Sequence, residues 1–519
     1  MSSEARDRVG VIETRGIEPV PDRERRGKPI GLFWMWFGAN MGVLGITLGA
    51  ALVTFTGLNV VQALVVAVIG AGGSFLLVGL LSTAGKLGGA PGLTLSRAVF
   101  GVRGNWAPTL VSWLGFVGWE TVMCTTAAFA LLAVLGAVGV AANAVVTVVC
   151  VLVVVLIAAF IGLFGHATIM WIQKWLTWFF GVLTFIVVAF LAVTVNWSAV
   201  FNQPPGSWAA VMGGAGFIAA GTGLGWLSAG ADYARYLPRQ VRSSAVVIAS
   251  VLGAAIPLVV LISMGSLMAV GDSTLASASD PVSAIGASLP TWMLVPYLLT
   301  AVFGLIAAAD LSMYSSGLNL ITGGIRVPRT TAVAVDAVLI TIGALYITVI
   351  AQDFYGPFTT FLTLLAVPLS AWGGVFLVDM IGRKWYDPTG LIDTTRGSHY
   401  WYRGGVNWSG LGAWGVAIVL GVLCTRAQAG EVVWFAGPFS GSWVGQNSLG
   451  WLIAGLSGAI FYPVLRTITG QQTRFETPAD RVADTVIAAD VDNQATGGSV
   501  AVPLSTGIPG SEATEVQRG

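Results

Sequence analysis

A carboxylate stands near the centre of a long apolar run. Glu120 lies in Trp113-Leu114-Gly115-Phe116-Val117-Gly118-Trp119-Glu120-Thr121, inside the apolar stretch 107–138. An ionised acid at the middle of a bilayer costs roughly 2.5–3.5 kcal/mol on insertion scales, so a chain that keeps one there has a use for it. At that depth it can accept hydrogen bonds from a polar ligand or carry a proton. Trp119 beside it and Trp226 further on are each flanked by glycine. Taken singly, either Trp is an ordinary packing residue. Together with Glu120 they suit a flat heteroaromatic ligand, stacked between rings while the carboxylate takes its N–H edge.

A second group of polar residues lies in Ala307-Ala308-Ala309-Asp310-Leu311-Ser312-Met313-Tyr314-Ser315-Ser316-Gly317-Leu318-Asn319. Asp310 is mid-span with no basic residue within a turn. Ser312, Ser315 and Ser316 stand at i, i+3 and i+4, on one side of a helix. Two readings of them stay open: hydroxyl ligands for a hard cation such as Na⁺, or a small-residue stripe whose hydroxyls bond back to the i−4 carbonyls. Asn319 either meets a polar ligand or bridges helices. Asp232 with Arg235 and Asp379 with Arg383 have the spacing of ion pairs on one helix face, and both are expected at span ends. Asp336 lies a turn or two inside its span and is expected to snorkel.

The elements that must hold these groups are membrane helices. The chain has 519 residues, 55% hydrophobic and only 9% charged, against roughly 25% charged in soluble domains. Net charge is +1, which offers nothing to nucleic acid. The three cysteines, Cys124, Cys150 and Cys424, fall in apolar segments, and the only histidines are His166 and His399. Neither a disulfide framework nor a His-based metal centre is expected. Twelve apolar stretches begin near Leu32, Val60, Pro108, Val140, Ala167, Val211, Ala245, Thr291, Thr331, Phe354, Leu411 and Leu449. With these as spans, all but one (Arg426) of the 25 Lys and Arg residues fall on the side of the N-terminus. The positive-inside rule then places both termini in the cytoplasm. The polar N-terminus shows no cleavable signal. Residues 1–28 and 469–519 are expected to be disordered cytoplasmic ends, flanking a transporter domain over 29–468.

Two of the spans are dense in glycine. The first reads Gly38-Ala39-Asn40-Met41-Gly42-Val43-Leu44-Gly45, and the sixth carries Gly221-Thr222-Gly223-Leu224-Gly225-Trp226. Interior helical glycine costs about 1 kcal/mol relative to alanine. Such runs mark close helix packing or helices that open. Interrupted helices in matching positions five spans apart point to a transporter site, where opened backbone offers N–H and C=O groups to a ligand.

These residues resemble a known family. Gly225-Trp226-Leu227-Ser228-Ala229-Gly230-Ala231-Asp232-Tyr233-Ala234-Arg235-Tyr236 is similar to the sixth helix of purine-cytosine permeases, in the nucleobase-cation symporter-1 family. Gly115 to Glu120 resembles the family's third-helix site, Gly89 to Gly101 the loop after its second helix, and Trp401 to Trp408 the segment before its eleventh. The likeness spans roughly residues 28–466. It implies an all-α integral membrane fold of 12 transmembrane helices: a five-plus-five inverted repeat, as in the leucine transporter, with two extra C-terminal helices. It implies a ligand held between helices one, three, six and eight, with Trp226 stacking and either Phe116 or Trp119 as its partner. Glu120 stands where several relatives carry an amide. Ser312, Ser315 and Ser316 fall on an eighth-helix cation pattern, and relatives use Na⁺ or H⁺.

The expected function is secondary active import of a nucleobase, cytosine or a purine, with H⁺ or Na⁺ by alternating access. Substrate contacts are assigned to Asn40, Gly42, Phe116, Trp119, Glu120, Gly225, Trp226 and Asn319. Ion coupling is assigned to Asp310, Ser312, Ser315, Ser316 and Glu120, with Na⁺ at the three serines as one option. A symporter of the same fold for another heterocycle, a vitamin or an amino acid is the alternative. An enzyme is not expected, because no paired acids, His cluster or Ser/Lys dyad converge. No cofactor beyond the coupling ion, no nucleic acid and no protein partner is expected. The expected location is the plasma membrane.

Overall fold

The computed structural model describes residues 9–470, apart from positions 14, 279, 326, 352–354, 430 and 431. The tail expected to be disordered lies outside the described residues from position 471 onward. The chain is built almost wholly of helices. They are α1 (Pro29–Ala39), α2 (Leu44–Thr54), α3 (Val60–Gly88), α4 (Trp106–Ala137), α5 (Ala144–Leu163) and α6 (His166–Thr194), then α7 (Trp208–Gly221), α8 (Gly230–Ala234), α9 (Ser243–Gly271) and α10 (Thr291–Thr322), and finally α11 (Arg329–Leu345), α12 (Tyr355–Gly382), α13 (Trp408–Leu423) and α14 (Gly450–Thr469). Among the described residues ten helical stretches are long and apolar enough to cross a membrane. The pair α1–α2, bent by 63°, makes an eleventh. The apolar stretch near Leu411 forms the shorter α13, of 16 residues. A two-stranded hairpin, β1 (Arg426–Ala429) against β2 (Val432–Ala436), links α13 to α14 and is the one piece of sheet among the described residues.

Packing divides the helices into groups. The first holds α1, α2, α3, α7, α8 and α9; the second holds α4, α5, α10 and α11. α6 touches both, through α1 and α10, while α12, α13 and α14 pack together at one side. Glycine permits the closest approach. A Cβ on Gly49 of α2 would overlap the carbonyl oxygen of Ile262 on α9, and one on Gly265 of α9 would overlap that of Ile46. With no hydrophobic drive between helices inside lipid, contacts of this kind carry the association. Large apolar side chains such as Val145, Phe179 and Val193 remain exposed, as a lipid-facing surface requires.

The N-terminal segment departs from its expected disorder. Glu13, Ile17, Val20 and Arg25 are buried. The Val20 N–H donates to the Gly89 carbonyl at 2.8 Å and the Gly27 N–H to that of Tyr236 at 2.9 Å. Arg25 donates to the carbonyls of Val20 and Lys86. Its own burial, and then the nearby charge of Arg239, push the Arg25 guanidinium down to about 10. Glu13 accepts from the His166 N–H at 3.0 Å, from Arg235 at 3.3 Å and from the Tyr236 hydroxyl, with Arg329 at 3.9 Å. A polar composition reads as disorder because it buries little apolar surface. Here charge-assisted hydrogen bonds to helix ends hold the segment instead. It forms a strap across one face of the bundle.

Candidate functional site

Both glycine-dense helices are interrupted where the sequence suggested. α1 ends at Asn40, whose side-chain amide donates to the Trp36 carbonyl at 2.8 Å, and α2 starts at Leu44. Gly42 therefore lies in the opened stretch, facing Leu305 of α10. The sixth span breaks at Thr222, runs as a 3-10 helix over Gly223–Ala229 and resumes as α8. Ser74 of α3 holds this break: its hydroxyl accepts from the Gly223 N–H at 3.1 Å and lies 3.2 Å from the Thr222 hydroxyl. Opened backbone buried at this depth needs such partners.

Trp226 sits on the 3-10 stretch, between rings of both helix groups. Its ring centroid is 5.5 Å from that of Trp36 on α1 and 6.1 Å from that of Phe116 on α4. Phe116 is thus the third-helix residue in contact with Trp226. Trp119 packs edge-on against Phe358 and Phe361 of α12. Its indole approaches the backbone at Gly225, where a Cβ would overlap the ring nitrogen. The indole nitrogens of Trp36 and Trp119 are buried and have no hydrogen-bond partner. A cavity of about 500 Å³ lies on the face away from the strap, lined by Ala51 and Phe55 of α2, Gly213 and Phe217 of α7, and Thr359 and Thr363 of α12, among others.

The eighth-span polar residues do not share one partner. Asp310 accepts from the Gln173 side chain of α6 at 3.1 Å, and Gln173 also donates to the Ala307 carbonyl. Ser315 donates to the Tyr233 hydroxyl at 3.2 Å, which in turn donates to the Leu311 carbonyl at 2.6 Å. Ser312 lies against the Glu120 carboxyl and Ser316 against that of Asp336, neither with the alignment of a hydrogen bond. Asn319 donates to Ser112 at 2.9 Å, and Ser112 pairs with Ser228 at 2.7 Å, a polar bridge from α10 through α4 to the 3-10 stretch.

The two expected ion pairs part ways. Arg383 binds Asp379 at 2.7 Å, joined by the Tyr462 hydroxyl of α14. Asp232 instead accepts from the Gly92 N–H at 2.8 Å, and Arg235 is taken up by Glu13, Gly16, Tyr236 and Tyr314. Asp336 does not snorkel: it is fully buried and accepts from the Trp113 indole at 2.9 Å. Sequence reasoning passed over Trp36, Ser112, Gln173 and Ser228. Gln173, a lone amide within the fifth apolar stretch, was the detectable signal. Among the described residues no group of three or more His, Cys, Asp or Glu could hold a metal ion.

Paired interrupted helices, one in each half, with polar side chains converging between two helix groups, define a secondary transporter of the broken-helix class. Residues 19–444 match the family described as permease for cytosine/purines, uracil, thiamine and allantoin, and the chain belongs to that family. It is a permease, not an enzyme. YxlA of Bacillus subtilis (strain 168), whose assignment as a purine-cytosine permease is itself provisional, is 25% identical over 472 residues, covering 88% of this chain and 96% of that one. The purine-cytosine permease FCY2 of Saccharomyces cerevisiae is 26% identical over 276 residues, 52% of this chain and about half (49%) of its own length. Mhp1, a nucleobase-cation-symport-1 transporter solved closed with bromovinylhydantoin bound, superposes with a TM-score of 0.70 at 18% identity, covering 91% of this chain and all of that one. A Na⁺-coupled sialic acid symporter shares the fold with a TM-score of 0.55 at 12% identity. The fold is therefore the leucine-transporter-like one that the sequence resemblance implied.

Proposed function

We propose that this protein imports a nucleobase, cytosine or a purine, across the plasma membrane by symport with H⁺ or Na⁺. The observation that carries the reading is Trp226, on the opened sixth helix, set between Trp36 of one helix group and Phe116 of the other. A flat heterocycle entering there stacks on these rings, each stacked base being worth about 1–3 kcal/mol. Glu120 accepts from the N–H edge of the base. Opened backbone at Asn40, Gly42 and Gly225 and the amide of Asn319 complete the polar contacts. Trp119 closes the far side. Both termini face the cytoplasm, in keeping with the Lys and Arg distribution, and the strap then lies on the cytoplasmic face.

The test is uptake of labelled cytosine, adenine, uracil, allantoin and thiamine into proteoliposomes, with Na⁺ and pH gradients imposed separately. Concentrative uptake of cytosine or a purine under at least one gradient is expected. Concentration of thiamine or allantoin alone would replace the substrate assignment.

A further inference from the structure

Asp336 has no part in the function proposed above, yet it is a fully buried acid inside a membrane helix. Its surroundings form a column. Glu120 of α4 lies against Ser312 of α10, and Asp336 of α11 lies against Ser316 of α10. At about 1.5 Å per residue, Asp336 stands about 10 Å from the strap-side end of α11. On the same scale Ser316 and Ser312 stand roughly 9 and 15 Å from the strap-side end of α10, and Glu120 about 21 Å from that of α4. Asp336 and Ser316 therefore stand at about the same height, with Ser312 and then Glu120 deeper toward the middle of the membrane. All four residues have zero exposure. Both oxygens of Glu120, the hydroxyls of Ser312 and Ser316 and the Oδ2 of Asp336 have no hydrogen-bond partner. Buried polar groups in a protein interior are ordinarily paired, and these five atoms have that capacity unused.

The titratable and charged groups on the elements around the column are otherwise engaged or neutral. Cys124 follows Glu120 by one turn, and Cys150 is buried on α5. Asp310 is held by Gln173, Tyr314 by Arg235 and Asp379 by Arg383. Arg329 donates to the carbonyls of Gly162 and Phe164. No described Lys or Arg pairs with Glu120 or Asp336. Two carboxylates without a cation in a dry interior cannot both stay ionised, so at least one of them holds a proton. Na⁺ suits the column poorly. Here α4, α10 and α11 are continuous helices whose carbonyls are used in their own ladders, whereas Na⁺ needs several oxygens converging on one point.

We propose that Glu120, Ser312, Ser316 and Asp336 form a single buried proton-binding column that holds the coupling proton beside the ligand site. The step is reversible protonation. A hydronium ion loses H⁺ to the Glu120 carboxylate and leaves water, and the carboxyl gives H⁺ back to water when the site reopens; the Ser312 and Ser316 hydroxyls turn their hydrogens toward whichever carboxylate is ionised. The proposal rests on the transporter reading but not on which base is carried.

The test is cytosine uptake into proteoliposomes under a pH gradient of one unit, together with cytosine binding in detergent as a function of pH, read by quenching of tryptophan fluorescence. With one proton per base, such a gradient supports accumulation of about tenfold. Asp336→Asn is expected to lose that accumulation and to flatten the pH profile of binding; Asp336→Glu, which keeps a carboxyl, restores both. Should Asp336→Asn not fold, the Ser312→Ala, Ser316→Ala double variant serves, with gradient-driven uptake slowed about tenfold. Wild-type accumulation and an unchanged pH profile in Asp336→Asn, or a wild-type rate in the serine variant, overturn the column. A wild-type protein driven by Na⁺ alone, indifferent to pH, also overturns it but leaves the proposed function intact. Failure of the wild-type protein to concentrate any base under either gradient instead overturns the proposed function.

Discussion

Replacing Glu13 by alanine should release the N-terminal strap. The carboxylate is 6% exposed and serves two buried guanidinium groups, Arg235 at 3.3 Å and Arg329 at 3.9 Å, besides the His166 N–H and the Tyr236 hydroxyl. Breaking a buried ion pair costs about 3–5 kcal/mol, because a charge is left uncompensated. The lower part of that range is expected here. Arg235 keeps the Gly16 carbonyl at 2.8 Å and the Tyr314 hydroxyl at 2.6 Å, and Arg329 keeps two carbonyls. A loss of about 3 kcal/mol raises the population of strap-open molecules roughly 150-fold. Val20, 1% exposed under the strap, reports the opening. A Val20→Cys variant in a Cys424→Ser background reacts with a maleimide at a rate set by the open fraction when opening is fast. Glu13→Ala should raise that rate by the stated factor, and Glu13→Gln by less, since the amide still accepts from His166 and Tyr236. A change below about threefold in Glu13→Ala would refute the argument that this carboxylate holds the strap.

Three further outcomes are expected. Gly49→Ala places a methyl on the Ile262 carbonyl and forces α2 from α9; the folded yield in detergent should fall severely, and a monodisperse protein of unchanged Tm would contradict the close contact. Trp226→Leu removes the central ring and should weaken base binding by about 1–3 kcal/mol, roughly 5- to 150-fold, measured by equilibrium binding; an unchanged Kd would move the ligand elsewhere. Glu120→Gln should sharply reduce cytosine uptake and its pH dependence, and unchanged transport with an unchanged pH profile would remove Glu120 from both of its roles.

Much of this architecture was legible because the bilayer imposes simple rules on composition. Long apolar runs and a one-sided Lys and Arg distribution follow from the cost of moving charge into hydrocarbon. The broken first and sixth helices were visible because glycine at Gly38, Gly42, Gly221, Gly223 and Gly225 weakens the helix where backbone must open. Asp379 and Arg383 were readable as a pair because i, i+4 spacing is a property of one helix. The same rule misplaced Arg235, whose partner Glu13 lies 222 residues away. Charge-bearing segments outside the spans carry no periodic signal that tells a strap from a solvated end. The three serines shared a side of α10 by spacing, but which neighbour each one meets depends on α4, α8 and α11, and periodicity within one helix is silent on that.

The position of Glu120 bears on how coupling works. Phe116, Trp119 and Glu120 occupy one turn of α4, so the third-helix aromatic contacts and the inner end of the proposed proton column are carried by the same rigid helix. Trp226 and Trp36 belong to the other packing group. On the proposed reading, a base stacked between Trp226 and Phe116 bridges two bodies, and binding energy gained there favours their closed arrangement over any state that parts them. Protonation of Glu120, if it carries the coupling proton as proposed, acts on the same balance from the other side, because it converts an acceptor of the base's N–H into a neutral group and changes the charge seen by Ser312 on α10. Only differential interaction with two states can drive a conformational change. A ligand spanning both groups and a proton held by one of them supply that difference at a single turn of α4, without a long chain of intermediates.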